Sequence, residues 1–189
     1  MQQTKFIGFV FVSSVLVSSF ATFSETVVQA QHPIRPTPLL RAKCVDSGTG
    51  SAREQDLDVS IGKAVYSTQF YLGPGYRSAS ITCNIKPSNS PLPVFQTLNL
   101  GFGMRDNDIT SPGVAVRVYL DGKPSETRTV SPTQQTSLSL DVTNVNNVAI
   151  EAVCSSQTQY CDRVYFFTAA LQRQSASPLT NAPLPQRKK

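Results

Sequence analysis

Two groups of side chains in this 189-residue chain have the types and spacing to do chemistry. The first is Asp106-Asn107-Asp108, at the head of a polar loop that runs to Pro112-Gly113. Clustered carboxylate and amide oxygens of this kind suit a hard cation such as calcium, although the glycine and distal glutamate of an EF-hand are missing. Two carboxylates could also serve glycoside hydrolysis. Asp and Asn are frequent in such loops for a plainer reason, since they hydrogen-bond turn backbone, and that reading outweighs both. The expectation is therefore no cofactor, with Asp106, Asn107 and Asp108 as the one candidate calcium site. The second group is Tyr71, Tyr76 and Arg77, around Gly73-Pro74-Gly75. Tyrosine faces stack on sugar rings while neighbouring polar groups bond hydroxyls, so this loop is the candidate ligand platform. Aromatics at strand spacing are more often core, and for each tyrosine taken singly that reading outweighs the platform.

Other chemistries are excluded by composition. The one histidine, His32, lies far from any candidate nucleophile in a proline-rich arm, so a rigidly held Ser-His or Cys-His pair is not available. No glycine-rich phosphate loop is present, because Gly101-Phe102-Gly103 lies inside a strand pattern with no helix after it. The formal net charge is +5, but residues 44–171 hold nine basic and eleven acidic side chains. The basicity sits in the flanks, at Arg35, Arg41 and Lys43 and at Arg173, Arg187, Lys188 and Lys189. This distribution argues against nucleic acid as a partner and suits an anionic surface or plain solubilisation. A non-enzymatic protein is expected.

The elements that must position these groups read as strands. Lys5 and the apolar run to Phe23, ending in Val28-Gln29-Ala30, have the form of a secretory signal peptide over residues 1–30. No later run reaches membrane length, so no transmembrane segment is expected after cleavage, and the chain carries no signature of a particular oligomeric state. Residues 31–43, with Pro33, Pro36 and Pro38, read as an extended basic arm, 44–171 as a single domain, and 172–189 as a proline-rich basic tail. Inside the domain, Leu98, Leu100, Phe102 and Met104 share one phase, as do Val114, Val116, Val118 and Leu120. This period of two marks half-buried strands, here expected as a central pair. Further strands are expected over Leu57–Ile61, Ala79–Ile85, Glu126–Val130, Leu138–Val142, Val148–Cys154 and Val164–Leu171, the Glu126–Val130 strand forming a hairpin with Val114–Leu120. Many short strands without an amphipathic helix make the fold class all-β, an antiparallel β-sandwich of jelly-roll type.

Four cysteines in an exported chain imply two disulfides. Cys154 and Cys161 enclose only six residues, which favours their pairing and leaves Cys44 for Cys83. Cys83 with Cys154 stays open, because both fall on inward phases.

The order of these features resembles the NPCBM-type carbohydrate-binding modules, a group of galactose-binding-like β-sandwiches. The residues that carry the resemblance run from Ile61-Gly62-Lys63 through Ile81-Thr82-Cys83-Asn84-Ile85, the segment Phe95 to Asp106 and the strand Val114–Val118. They continue with Leu120-Asp121-Gly122-Lys123, Leu138–Val142 and Asp162. Two departures stand out. Where that family carries a Trp near its last strand, this chain reads Cys161-Asp162-Arg163-Val164-Tyr165. Where it carries a histidine-bearing loop, this chain reads Gly73-Pro74-Gly75-Tyr76-Arg77. The resemblance implies a galactose-binding-like sandwich and a non-catalytic module for carbohydrate or cell-envelope polymer, and the signal segment adds the expectation that it is secreted or periplasmic. The alternative is a structural or protein-interaction β-sandwich of the envelope with no glycan affinity.

Overall fold

The computed structural model describes residues 35–173, so the signal segment, the first four residues of the N-terminal arm and most of the C-terminal tail lie outside the described residues. Eleven strands occur in order among the described residues. They are β1 (Thr37–Pro38), β2 (Lys43–Asp46), β3 (Ser51–Ile61), β4 (Ala64–Gly73), β5 (Ser78–Asn84) and β6 (Phe95–Gly103). Then come β7 (Val114–Leu120), β8 (Lys123–Val130), β9 (Gln135–Asp141), β10 (Asn147–Cys154) and β11 (Val164–Arg173). They form two antiparallel sheets. One has the order β3-β4-β11-β6-β9 with β1 added against β11, and the other the order β2-β5-β10-β7-β8. The expected all-β sandwich is the observed fold.

Alternation decides what lies between the sheets. Leu98, Leu100, Phe102 and Met104 from one sheet face Val114, Val116 and Val118 from the other, all fully or almost fully buried. The two segments read as a central pair are therefore partners across the core and not along a ladder. β6 pairs with β11 and β9, whereas β7 pairs with β10 and β8. The loop after Met104 carries the chain from one layer to the other. Phe166 stacks on Phe70 with centroids 4.3 Å apart and leans on Phe102 at 5.2 Å, filling the middle of the layer. Each such buried side chain contributes on the order of 2–3 kcal/mol of transfer free energy.

The outer face of the β11 sheet is also covered. Tyr71 and Tyr165, on the outward phase of β4 and β11, join Val59 and Ile61 of β3 in a second apolar cluster, with Tyr66 and Phe167 at its margin. The cover comes from the chain itself. β4 pairs with β11 only through Phe70–Leu72, and past a register shift between Glu54 and Leu57 the β3–β4 hairpin pairs with itself alone. Such a bulge bends a strand and re-aims the residues beyond it. The hairpin tip reaches the loop after β6, where Asp106 accepts hydrogen bonds from the Gly62 and Lys63 amides at 2.6 and 2.9 Å and from the Ser60 hydroxyl. Gly101 permits this packing, since a Cβ there would stand 2.5 Å from the Phe167 ring.

Two boundaries differ from expectation. The folded body starts before Cys44, because Thr37–Pro38 pair with Ala170 and Leu171 and Leu39 is completely buried. Pro38 is tolerated because β1 is a short edge strand. β3 begins at Ser51 and not Leu57, its polar first half being exposed as an edge strand allows.

Candidate functional site

The site is built at the end of the sandwich where the β4–β5 loop, residues 74–77, meets the β10–β11 loop, residues 155–163. Both disulfides form as favoured from the spacing, Cys44 with Cys83 and Cys154 with Cys161. The second one closes the β10–β11 loop, and its two cysteines also hold the other loop. The Cys154 amide donates to the Arg77 carbonyl and the Cys161 amide to the Gly75 carbonyl, each at 2.9 Å. Gly75 turns the chain at φ +61°, a conformation that glycine adopts without strain.

Tyr76 and Tyr160 stand on these tethered loops, 60% and 55% exposed, as an edge-to-face pair with centroids 5.5 Å apart. The Tyr76 ring divides two hollows. One, of about 500 Å³, is lined by Thr49, Ser51, Pro74 and Tyr160. The other, of about 650 Å³, runs onto the outer face of the second sheet past Arg77, Arg117, Glu151, Ser156 and Gln157. Arg117 reaches Glu151 at 4.0 Å and the Tyr119 hydroxyl donates to the same carboxylate at 3.0 Å, so this hollow has donors and acceptors fixed on rigid strands.

The three expected platform residues are not brought together as one surface. Tyr76 and Arg77 face the hollows, but Tyr71 is only 4% exposed. Its outward phase is roofed by the Arg163 guanidinium, 4.3 Å above its ring, and flanked by Tyr165 at 5.9 Å. Arg105 in turn lies over the Tyr165 ring at 5.1 Å. Tyr71 thus belongs to a cation-capped aromatic stack below the surface. Tyr160, which sequence reasoning passed over, takes the exposed place. Its position next to Cys161, inside the short disulfide loop, was the available signal.

The acidic loop is committed to the protein's own donors. Asp106 latches the hairpin tip, and Asp108, buried, receives the Arg105 guanidinium at 3.0 Å. Asn107 is exposed beside them. No cluster of three or more metal-ligating side chains of His, Cys, Asp or Glu occurs among the described residues. The charges here shift one another. The Asp106 carboxyl lies below the usual carboxylate range, held there by the Ser60 hydroxyl and then by the Lys63 amide. Desolvation, with repulsion from Asp108, pushes the Asp162 carboxyl up against the pull of Arg105 and Arg163. For Arg105, desolvation opposes the charge, but the Asp108 hydrogen bond and the surrounding negative groups outweigh it and raise the pKa.

Comparison with solved structures bears on this arrangement. The chain superposes on the CBM51-2 and INT domains of Clostridium perfringens ZmpB, solved with GlcNAc, at a TM-score of 0.59 and 15% identity, covering 74% of this chain and 32% of that one. It superposes on the C. perfringens GH95 CBM51 domain, solved with methyl-galactose, at 0.55 and 12% identity, covering 73% of this chain and 100% of that domain. The likeness is one of fold: the chain shares the antiparallel β-sandwich of these domains. A longer ZmpB chain, with the M60 catalytic domain and two CBM51 domains, matches at 0.59 and 14% identity. The match covers 75% of the present chain but only 16% of that longer one. Neither a protein-family profile nor a curated protein sequence matches the chain. Among the described residues no helix is long and apolar enough to cross a membrane.

Proposed function

We propose that this protein is an exported, non-catalytic carbohydrate-binding protein whose ligand lies against Tyr76 and Tyr160. The observation that carries the reading is the exposure of two tyrosine rings on loops fixed by a disulfide and two backbone hydrogen bonds. A platform held this way loses little freedom when a ring sugar stacks on it. The sugar's apolar face would lie on Tyr76, while Arg77, Arg117 and Glu151 offer hydrogen bonds to its hydroxyls. The carbohydrate-binding-module fold supports the class of ligand, and the signal-like residues 1–30 with two disulfides support export. A non-catalytic role is supported by the engagement of Asp106 and Asp108 in structural hydrogen bonds.

A glycan array probed with the full chain, followed by calorimetry on the best binder, tests the reading. Tyr76→Ala is expected to weaken binding by about tenfold or more, equivalent to about 1.4 kcal/mol, and Tyr160→Ala to weaken it less. Unchanged affinity in Tyr76→Ala would move the site elsewhere. Binding to no glycan at all would favour the protein-interaction alternative.

A further inference from the structure

The opposite end of the sandwich carries a groove with a different character. It has a volume of about 540 Å³ and is lined by Arg41, Lys43, Asn84, Lys86, Ser88 and Phe95, among others. β5 separates it from the tyrosines, since Tyr76 precedes that strand and Lys86 comes after it, which places the two features about 20 Å apart. The cations come from three parts of the chain. Arg41 ends the turn after β1, Lys43 begins β2, and Lys86 leaves β5. Arg173, at the end of β11, adds a fourth, its guanidinium 5.5 Å over the ring of Phe95 in the groove wall.

No carboxylate lines the groove, and among the described residues none of these four cations takes part in an ion pair. The carboxylates at this end of the sheets are already engaged. Asp121 accepts from the Asn146 and Asn147 amides, and Asp141 from the Thr143 amide. Residues 31–34 and 174–189 contain no Asp or Glu and add Arg187, Lys188 and Lys189. Three cations line the groove and a fourth, Arg173, stands over its Phe95 wall, and together they form a positive field that an anion would neutralise.

We propose that this groove binds a segment of anionic polysaccharide, the guanidinium and ammonium groups taking its carboxylates or sulfates while Asn84 and Ser88 face its hydroxyls. Three features favour a sugar chain over other polyanions. The cations surround a hollow of ligand size instead of lying on a plane. The apolar lining residues Phe95 and Leu171 are buried and offer no prong to a bilayer. No exposed aromatic lines the groove to stack on a base. The groove is independent of the tyrosine site, so the protein would hold a neutral glycan at one end and an acidic one at the other.

The test compares the full chain with its Arg41→Glu/Lys86→Glu variant, the basic flanks being present in both. Binding to polygalacturonate and to heparin is measured by calorimetry at low and physiological salt. Neutral dextran, anionic phosphatidylglycerol vesicles and duplex DNA serve as comparators. The expected result is binding to at least one acidic polysaccharide that weakens with salt and falls tenfold or more in the variant. Tyr76→Ala should leave it unchanged, and the variant should keep any neutral-glycan affinity and the wild-type melting temperature. Equal binding by the variant would assign the effect to the flanks and overturn the proposal. Vesicle or duplex binding at least as tight, lost in the same variant, would overturn the choice of partner.

Discussion

Breaking the Cys154–Cys161 bridge separates the contribution of the loop to stability from its contribution to recognition. The bridge spans a sequence separation of 7, against 39 for Cys44–Cys83. In the chain-entropy account, closing loops of these sizes stabilises the fold by about 2.5 and about 4 kcal/mol respectively. Cys154→Ser/Cys161→Ser should therefore lower the unfolding free energy by about 2.5 kcal/mol, and Cys44→Ser/Cys83→Ser by about 4 kcal/mol, measured by urea titration with unchanged fold by circular dichroism. The functional consequence should run in the opposite order. The shorter bridge anchors Tyr160 directly and, through the Cys154 and Cys161 amides, the carbonyls on either side of Tyr76. Its loss should free both rings and weaken glycan affinity by about tenfold, whereas loss of the Cys44–Cys83 bridge, at the β2–β5 ladder, should leave affinity within about twofold below the melting temperature. Equal affinity losses in the two variants, or none in the first, would refute the idea that the bridge pre-organises the site.

Two further outcomes are expected. Among the described residues the buried Tyr165 hydroxyl has no partner in hydrogen-bonding geometry, the Arg163 guanidinium lying near it without that geometry, so Tyr165→Phe should be neutral or stabilise by about 1 kcal/mol in urea unfolding, and a clear loss would show that the hydroxyl has a partner. Asp106→Ala should speed amide exchange at Gly62 and Lys63 without unfolding the body. Because the Asp106 pKa is lowered from 3.8, its latch is complete above that value and is lost only as the pH falls through the lower folded value. The protection of the two amides relative to their intrinsic exchange rates should therefore hold at pH 4.5 and fall under stronger acid, and a fall already at pH 5 would contradict the assignment.

Alternation at Leu98–Met104 and Val114–Val118 made the buried faces legible, because a period of two states which side chains point inward. It does not state which ladder a strand joins, and β6 and β7 fell in different sheets. Tyr71 shows a second limit. It lies on the outward phase of β4, yet the folded-over hairpin and Arg163 cover it, and a cover contributed from elsewhere leaves no periodic mark. Gly101-Phe102-Gly103 lies at the end of β6, and the need for a glycine under Phe167 can be seen only in three dimensions. The cationic groove assembles Arg41, Lys43, Lys86 and Arg173 from separated stretches, so composition located the excess of positive charge but not its focus.

The two-residue ladder between β1 and β11 sets where both flanks depart. Thr37 lies beside Leu171, so the chain enters and leaves the body at neighbouring points, at the end remote from Tyr76 and Tyr160. Cargo or a surface attached through either flank would meet the sandwich from behind and leave both tyrosines unshadowed. The same adjacency would let the body be spliced into a loop of another protein with little distortion of its host. Grafted that way, it would project its tyrosine end outward whichever flank bears the load.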